Sequence, residues 1–162
     1  MITDIQARLE HALKSYVLPG LAFGGDGFNS ITRQHQVLGT GFKESGYVHT
    51  RQLNGGPALG FFQMEPATHS DILKNFIAYR PDLGKAVYEL TGSHCPDAEV
   101  LIANPVYAAF MSGVQYLRSP LPLPAPFDAF GQACLWKRAY NGPGAGTVAD
   151  AVQYFRTANE VF

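Results

Sequence analysis

Apolar residues recur at intervals of three and four along most of the chain, which is the spacing that lines one face of a helix. The first such stripe consists of Ile5, Leu9, Leu13 and Tyr16. It predicts an N-terminal helix that begins with a cap at Thr3 and ends at Pro19-Gly20, because proline and glycine interrupt regular helices.

A second helix is predicted after a capping residue, either Asn29 or Ser30, and its last turn contains Glu44. Further stripes and caps predict helices over residues 68–80, 83–90, 98–104, 105–117, 127–139 and 147–158. Residues 46–63 break the pattern around the turn sequence NGGP (54–57), and β-prone pieces flank that turn. We therefore expect a mainly α fold with a small β-rich or irregular insertion after the second helix.

The length of 162 residues suits one domain with a real core and is too short for two ordinary domains. Residues 1–28 are expected to form an N-terminal helix and loop, and residues 29–158 the body that holds the candidate catalytic groups. The apolar runs are shorter than the roughly 20 residues of a membrane span. The N-terminus is charged and amphipathic, so neither membrane insertion nor a secretory signal peptide is expected.

Charge and cysteine content exclude further classes. Charged residues make up 15% of the chain and the net charge is -1, which argues against a polybasic surface for nucleic acid. Cys95 and Cys134 are the two cysteines, and neither belongs to a group with zinc-site spacing. No metal and no cofactor is predicted. The two thiols are either joined in a disulfide or, as a chain without a signal peptide favours, free.

The placement of Glu44 is unusual, because the C-terminus of a helix carries partial negative charge and favours cations. That placement raises the pKa of a carboxyl group, and burial against aromatic rings acts in the same direction. Aromatic residues close to it in sequence are Phe42, Tyr47, Phe61 and Phe62. A carboxyl that stays protonated near neutral pH can act as the general acid that cleaves a glycosidic bond.

Four short segments occur in an order that resembles one enzyme family. They are ES at 44–45, GFFQMEPAT at 60–68, NPVYAAFMSGVQYLR at 104–118 and AYNGPGAG at 139–146. Together they resemble the lysozyme-like lytic transglycosylases, which cleave peptidoglycan, over most of the chain. The resemblance implies an α+β lysozyme-like fold and cleavage of the β-1,4 bond between N-acetylmuramic acid and N-acetylglucosamine. It also implies a single catalytic glutamate and products that carry a 1,6-anhydro ring.

On this resemblance Glu44 is the catalytic residue. The substrate-binding residues that the resemblance implies are Ser45, Phe62, Gln63, Met64, Tyr140 and Asn141. Glu65 is a second carboxylate, expected at the rim of the groove rather than as a nucleophile. The aromatic residues expected in the core rather than stacked on sugar are Tyr107, Tyr116 and Trp136.

Several of these side chains have a second reading from their chemistry. Ser45 can orient Glu44 or satisfy the helix end instead of bonding substrate. Gln63 can bond either a sugar or the backbone of its own loop. The Tyr140 hydroxyl can donate to a carboxylate or to an acetamide. Asn141 can end its helix in a left-handed conformation before a glycine.

Two features depart from the family pattern, namely Gly39 and Gly41 before the acid and the cations Lys137-Arg138. The small size, with neither a signal peptide nor a wall-binding module, favours a phage-encoded protein. Such a protein would act on peptidoglycan glycan strands in the cell wall or periplasm, reached from the host cytoplasm before lysis or from the virion. Its other expected partners are phage tail or virion proteins.

Two alternatives remain. One is a muramidase that hydrolyses the same bond with water, because the same acid serves both reactions. The other is an inactive structural component of a phage particle that keeps the lysozyme-like fold.

Overall fold

The computed structural model describes residues 4–162, and its regular structure is helical. The helices are α1 (Asp4–Ala12), α2 (Leu18–Ala22), α3 (Ile31–Ser45), α4 (Pro66–Asn75), α5 (Pro81–Thr91), α6 (Val100–Ala103), α7 (Pro105–Arg118), α8 (Ala129–Trp136) and α9 (Val148–Asn159). Two π-helical turns occupy Leu13–Val17 and Lys137–Asn141, and two 3-10 turns occupy Leu53–Gly55 and Ile77–Tyr79. The predicted mainly α class is confirmed. Within residues 4–162, no helix combines the length and hydropathy that crossing a membrane requires.

The N-terminal helix differs from its prediction. Thr3, the predicted cap, lies outside the described residues. The predicted stop at Pro19-Gly20 is wrong, because α2 continues to Ala22. The π turn at Leu13–Val17 comes directly before α2, and its wider hydrogen-bonding pattern accommodates a proline that has no N–H to donate.

Residues 46–63 form an irregular segment, which is the second of the two forms expected for the insertion, and not a β-rich one. Among the described residues, β-pairing in this segment consists of two isolated bridges, one between Leu59 and Arg51 and one between Leu59 and Met64. The segment turns often, and its residues with positive φ are Gly46, Tyr47, Asn54, Gly55, Gly60 and Gln63. Such left-handed residues interrupt the extended backbone that strands need. The predicted insertion is therefore present as an irregular loop without strands.

Helix α3 lies at the centre of the fold and delivers the candidate acid to its end. Ser30 caps α3 by accepting a hydrogen bond from the Arg33 backbone N–H at 3.2 Å, which decides between the two predicted caps. The middle of α3 is buried, and the helix packs against α7, α8 and α9. Gly46 ends it in a left-handed conformation with φ 63°. Glu44 accordingly occupies the last turn, as predicted.

The two glycines of α3 allow neighbouring rings to approach the helix backbone. A Cβ atom on Gly39 would lie 2.2 Å from Cδ1 of Phe155 on α9. A Cβ atom on Gly41 would lie 2.2 Å from the hydroxyl of Tyr47, which donates to the Leu38 carbonyl at 2.9 Å. Each glycine destabilises the helix by about 1 kcal/mol relative to alanine. The close packing of the two rings against α3 requires a glycine at both positions.

Later helix boundaries differ from their predictions for local reasons. Pro81 begins α5 rather than ending the preceding helix, since proline suits the first turn of a helix. Helix α8 ends at Trp136, and the π turn at Lys137–Asn141 follows it directly. That turn places residues 137–145 beside the end of α3.

The two cysteines lie in different places and are both free thiols. Cys95 is exposed, and Cys134 is half-buried on α8. Of the two expected states, a disulfide or free thiols, the structure shows free thiols.

Candidate active site

A cleft of about 550 Å³ opens beside the end of α3. The irregular segment and the start of α4 line one side, and the π turn with its following loop lines the other. The lining residues are Glu44, Gln52, Ala58, Gln63, Met64, Glu65, Thr68, Gln115, Tyr140, Asn141, Gly142, Pro143, Gly144 and Ala145. Among these described residues, two are carboxylates and none is lysine, arginine or histidine. The cleft therefore presents mainly neutral polar groups.

The Glu44 carboxyl is held by an indole. Trp136 Nε1 donates a hydrogen bond to Glu44 Oε1 at 2.8 Å, and Trp136 is only 1% exposed. Burial raises the pKa of Glu44, whereas the Trp136 hydrogen bond and the Lys43 ammonium lower it, and burial is the largest of the three effects. The hydrogen-bonding aromatic partner of the acid thus comes from α8, not from its predicted neighbours in sequence.

Lys43, the residue before the acid, lies over the ring of the same indole. Its Nζ lies 3.2 Å from Asp150 Oδ2 and 5.4 Å from the centre of the Trp136 ring. It also lies 4.9 Å from the centre of the Tyr154 ring. The Asp150 carboxylate offsets the Lys43 charge near the acid, which is consistent with burial dominating the pKa of Glu44.

Replacing Trp136 with phenylalanine is expected to raise the pKa of Glu44 further. A ring remains to bury the carboxyl, but the N–H that stabilises its ionised form is lost. The alkaline limit of any activity that needs protonated Glu44 then moves to higher pH. A ¹³C NMR titration of the Glu44 carboxyl carbon measures the shift, with Tyr154→Phe as a control that leaves it unchanged. A lower pKa in the Trp136 variant would contradict the assigned role of the indole.

Two of the predicted substrate-binding residues lie outside the cleft. Ser45 is buried, and its Oγ donates to the Gly41 carbonyl at 3.1 Å and accepts from the Tyr47 N–H at 3.0 Å. Ser45 therefore forms hydrogen bonds with backbone groups at the end of α3, which is one of the roles expected for it. Phe62 is 1% exposed in the core, and only its carbonyl is used near the site. Neither side chain is among the residues that line the cleft.

The predicted residues from 63 to 65 do line the cleft. Gln63 has φ 49°, and its Nε2 donates to the Gly60 carbonyl at 2.8 Å. Since a carbonyl can only accept, this bond leaves Gln63 Oε1 as the free end of the amide. Met64 is 3% exposed and contributes an apolar part of the wall. Glu65 is exposed just before α4, where it lines the cleft.

Tyr140 and Asn141 line the cleft from the π turn. The Tyr140 hydroxyl donates to the Phe62 carbonyl at 2.8 Å, and not to a carboxylate, which was the first of its two expected acceptors. This bond instead joins the π turn to the irregular segment. The predicted left-handed conformation at Asn141 is not observed, and the residue with positive φ is instead Gly142, with φ 56° and ψ -125°. A glycine adopts that conformation at no steric cost.

Sequence reasoning missed three contributors to the site. Trp136 was assigned to the core, where it is, but its bond to Glu44 was not predicted. A signal existed, since a buried indole N–H needs an acceptor. Gln52 and Gln115 also line the cleft, and no spacing rule connects either residue with Glu44 across the chain.

The cleft thus combines a half-buried acid of raised pKa with a wall of amides. No family model, no curated protein and no solved structure matches the chain.

Proposed function

We propose that the protein is a glycosidase that cleaves the β-1,4 bond between N-acetylmuramic acid and N-acetylglucosamine in peptidoglycan, as a lytic transglycosylase. The observation that carries the proposal is the Glu44 carboxyl, which has a raised pKa, accepts the Trp136 N–H and lines the cleft. A carboxyl whose pKa is raised keeps its proton to higher pH than an ordinary glutamate, and glycosidic cleavage requires such a proton donor.

The proposed reaction uses Glu44 twice. Oε1 accepts the Trp136 N–H, so Oε2 carries the proton that passes to the glycosidic oxygen as the bond to the anomeric carbon breaks. The substrate's own acetamido group stabilises the positive charge on that carbon. The Glu44 carboxylate, stabilised by the same indole N–H, then removes the C6 hydroxyl proton. The C6 oxygen bonds to the anomeric carbon, and a 1,6-anhydro ring closes.

The rest of the cleft suits a neutral, hydroxyl-rich ligand. The amides that line it belong to Gln52, Gln63, Gln115 and Asn141. Amides both donate and accept hydrogen bonds, as do sugar hydroxyl and acetamido groups. Binding an anionic ligand would instead favour cationic side chains. None of the described residues that line the cleft is lysine, arginine or histidine.

A muramidase is the second candidate, because Glu65 also lines the cleft. A second carboxylate can activate a water molecule, and the reaction then ends in hydrolysis. Glu44 has the same role as acid in both mechanisms, so the two candidates differ in the species that attacks the anomeric carbon.

Mass spectrometry of digested peptidoglycan tests both candidates. We expect disaccharide-peptides that end in 1,6-anhydro-N-acetylmuramic acid, which are lighter by one water than those with reducing ends. Reducing ends would overturn the transglycosylase in favour of the muramidase. Release of neither product by the folded protein would contradict both and would favour an inactive structural component.

A further inference from the structure

Lys137 begins the π turn and reaches forward to the loop beyond it. Its Nζ donates to Asn141 Oδ1 at 2.7 Å and to the Gly144 carbonyl at 2.6 Å. Its own carbonyl accepts the Gly142 N–H at 2.9 Å. One residue therefore makes three hydrogen bonds to the segment 141–144, which forms one wall of the cleft.

The first of these bonds fixes which end of the Asn141 amide is free. An ammonium group has only donors, so the atom it meets must be the amide oxygen. The Asn141 NH₂ group is then left for another acceptor, and Asn141 lines the cleft. Nδ2 accordingly gives this wall of the cleft a hydrogen-bond donor for a ligand oxygen.

The loop also rests on the indole that holds the acid. A Cβ atom on Gly146 would lie 2.5 Å from Trp136 Cη2, so the backbone there is in close contact with the ring. Consecutive residues, Trp136 and Lys137, thus hold the carboxyl of Glu44 and the opposite wall of the cleft.

We propose that Lys137 is a positioning residue: it holds the 141–144 wall in place and orients the Asn141 amide with its NH₂ group free for an oxygen of the bound glycan. The part that concerns the loop stands independently. The part that concerns glycan binding rests on the proposed function.

Hydrogen exchange of the backbone amides tests the loop. In Lys137→Met we expect the Gly142 and Gly144 amides to exchange about tenfold faster or more, since charge-assisted bonds to the loop are lost. Arg138→Met is the matched control, because Arg138 is the adjacent cation and its side chain is exposed. Unchanged exchange at both glycines in folded Lys137→Met would overturn the proposal, whether or not the protein cleaves peptidoglycan.

Steady-state kinetics on solubilised peptidoglycan test the cleft wall. We expect Lys137→Met to raise KM about tenfold and to change kcat little, because Glu44 and its indole partner are untouched. Asn141→Asp separates the two roles. It keeps an acceptor for Lys137 and normal glycine exchange, but it lacks the NH₂ group, so KM rises. An unchanged KM in both variants, with wild-type cleavage intact, would overturn the glycan part alone.

Discussion

Glu44→Gln is expected to lower the rate of cell-wall clearing by about 10²–10⁴-fold, the usual contribution of a positioned acid. In the wild-type protein, the Trp136 N–H donates to Glu44 Oε1 at 2.8 Å. Glutamine has nearly the same shape as glutamate and keeps an oxygen that can accept this bond. It cannot deliver a proton to the glycosidic oxygen or remove one from the C6 hydroxyl. The loss would therefore be in kcat rather than in folding.

The decrease in turbidity of purified cell walls measures this effect. Glu89→Gln is the matched control, because it makes the same exchange on the exposed surface of α5. A cation there is Lys85, whose Nζ lies 3.8 Å from Glu89 Oε1. Thermal unfolding of both variants confirms that they are folded. Clearing by Glu44→Gln at the wild-type rate would remove Glu44 from the mechanism, and the raised pKa would then have a different explanation.

Gly39→Ala is expected to destabilise the protein by about 1–3 kcal/mol, the usual cost of overpacking a core. This direction is opposite to helix propensity, which favours alanine by about 1 kcal/mol. The cause is Phe155, whose ring atom Cδ1 would lie 2.2 Å from the new Cβ. Phe155→Ala alone should cost about 3–5 kcal/mol. In that background Gly39→Ala should become stabilising, since the ring is gone.

Urea unfolding of the four members of this double-mutant cycle measures the reversal in sign. Gly84→Ala in α5 is the control, because a Cβ atom there would have Ile77 Cγ2 as its nearest neighbour at 3.9 Å. That substitution should stabilise the protein by up to about 1 kcal/mol. A stabilising Gly39→Ala in the wild-type background would show that α9 shifts to make room.

The parts of the fold that depend on local chemistry could be predicted from the sequence. The Ser30 cap and the position of Glu44 in the last turn of α3 follow from side chains that act within a few residues. The end of the helix predicted over residues 83–90 is local as well, because α5 ends at Thr91 and Gly92 follows it with φ 76°. Each of these predictions needs only the backbone preferences of nearby residues.

The errors arise where tertiary contacts override local preference. Pro19 normally ends a helix, but the preceding π turn lets the chain continue through it. Gly39 and Gly41 depart from the family pattern, and they are the places where the rings of Phe155 and Tyr47 pack against the helix. Such contacts join residues far apart in sequence, so a pattern of nearby residues does not contain them.

The candidate site divides in the same way. Glu44 was found because its position at a helix end is unusual by itself. Its bond to Trp136 joins residues 92 positions apart. Ser45 and Phe62 were implied by resemblance, yet their burial removes both from the cleft. The resemblance implied a site role for residues 62–65, of which 63–65 line the cleft, but it did not indicate which of these side chains faces the cleft.

The π turn at Lys137–Asn141 makes this part of the chain sensitive to length. A π turn holds one residue more than the α-helical turn it replaces. Deleting a single residue would restore a regular helix and rotate everything beyond it by about 100°. Tyr140 would then leave Phe62, and the 141–144 wall would turn away from the acid. The surplus residue is thus what joins the two halves of the cleft, and substitutions should be tolerated here more readily than changes in register.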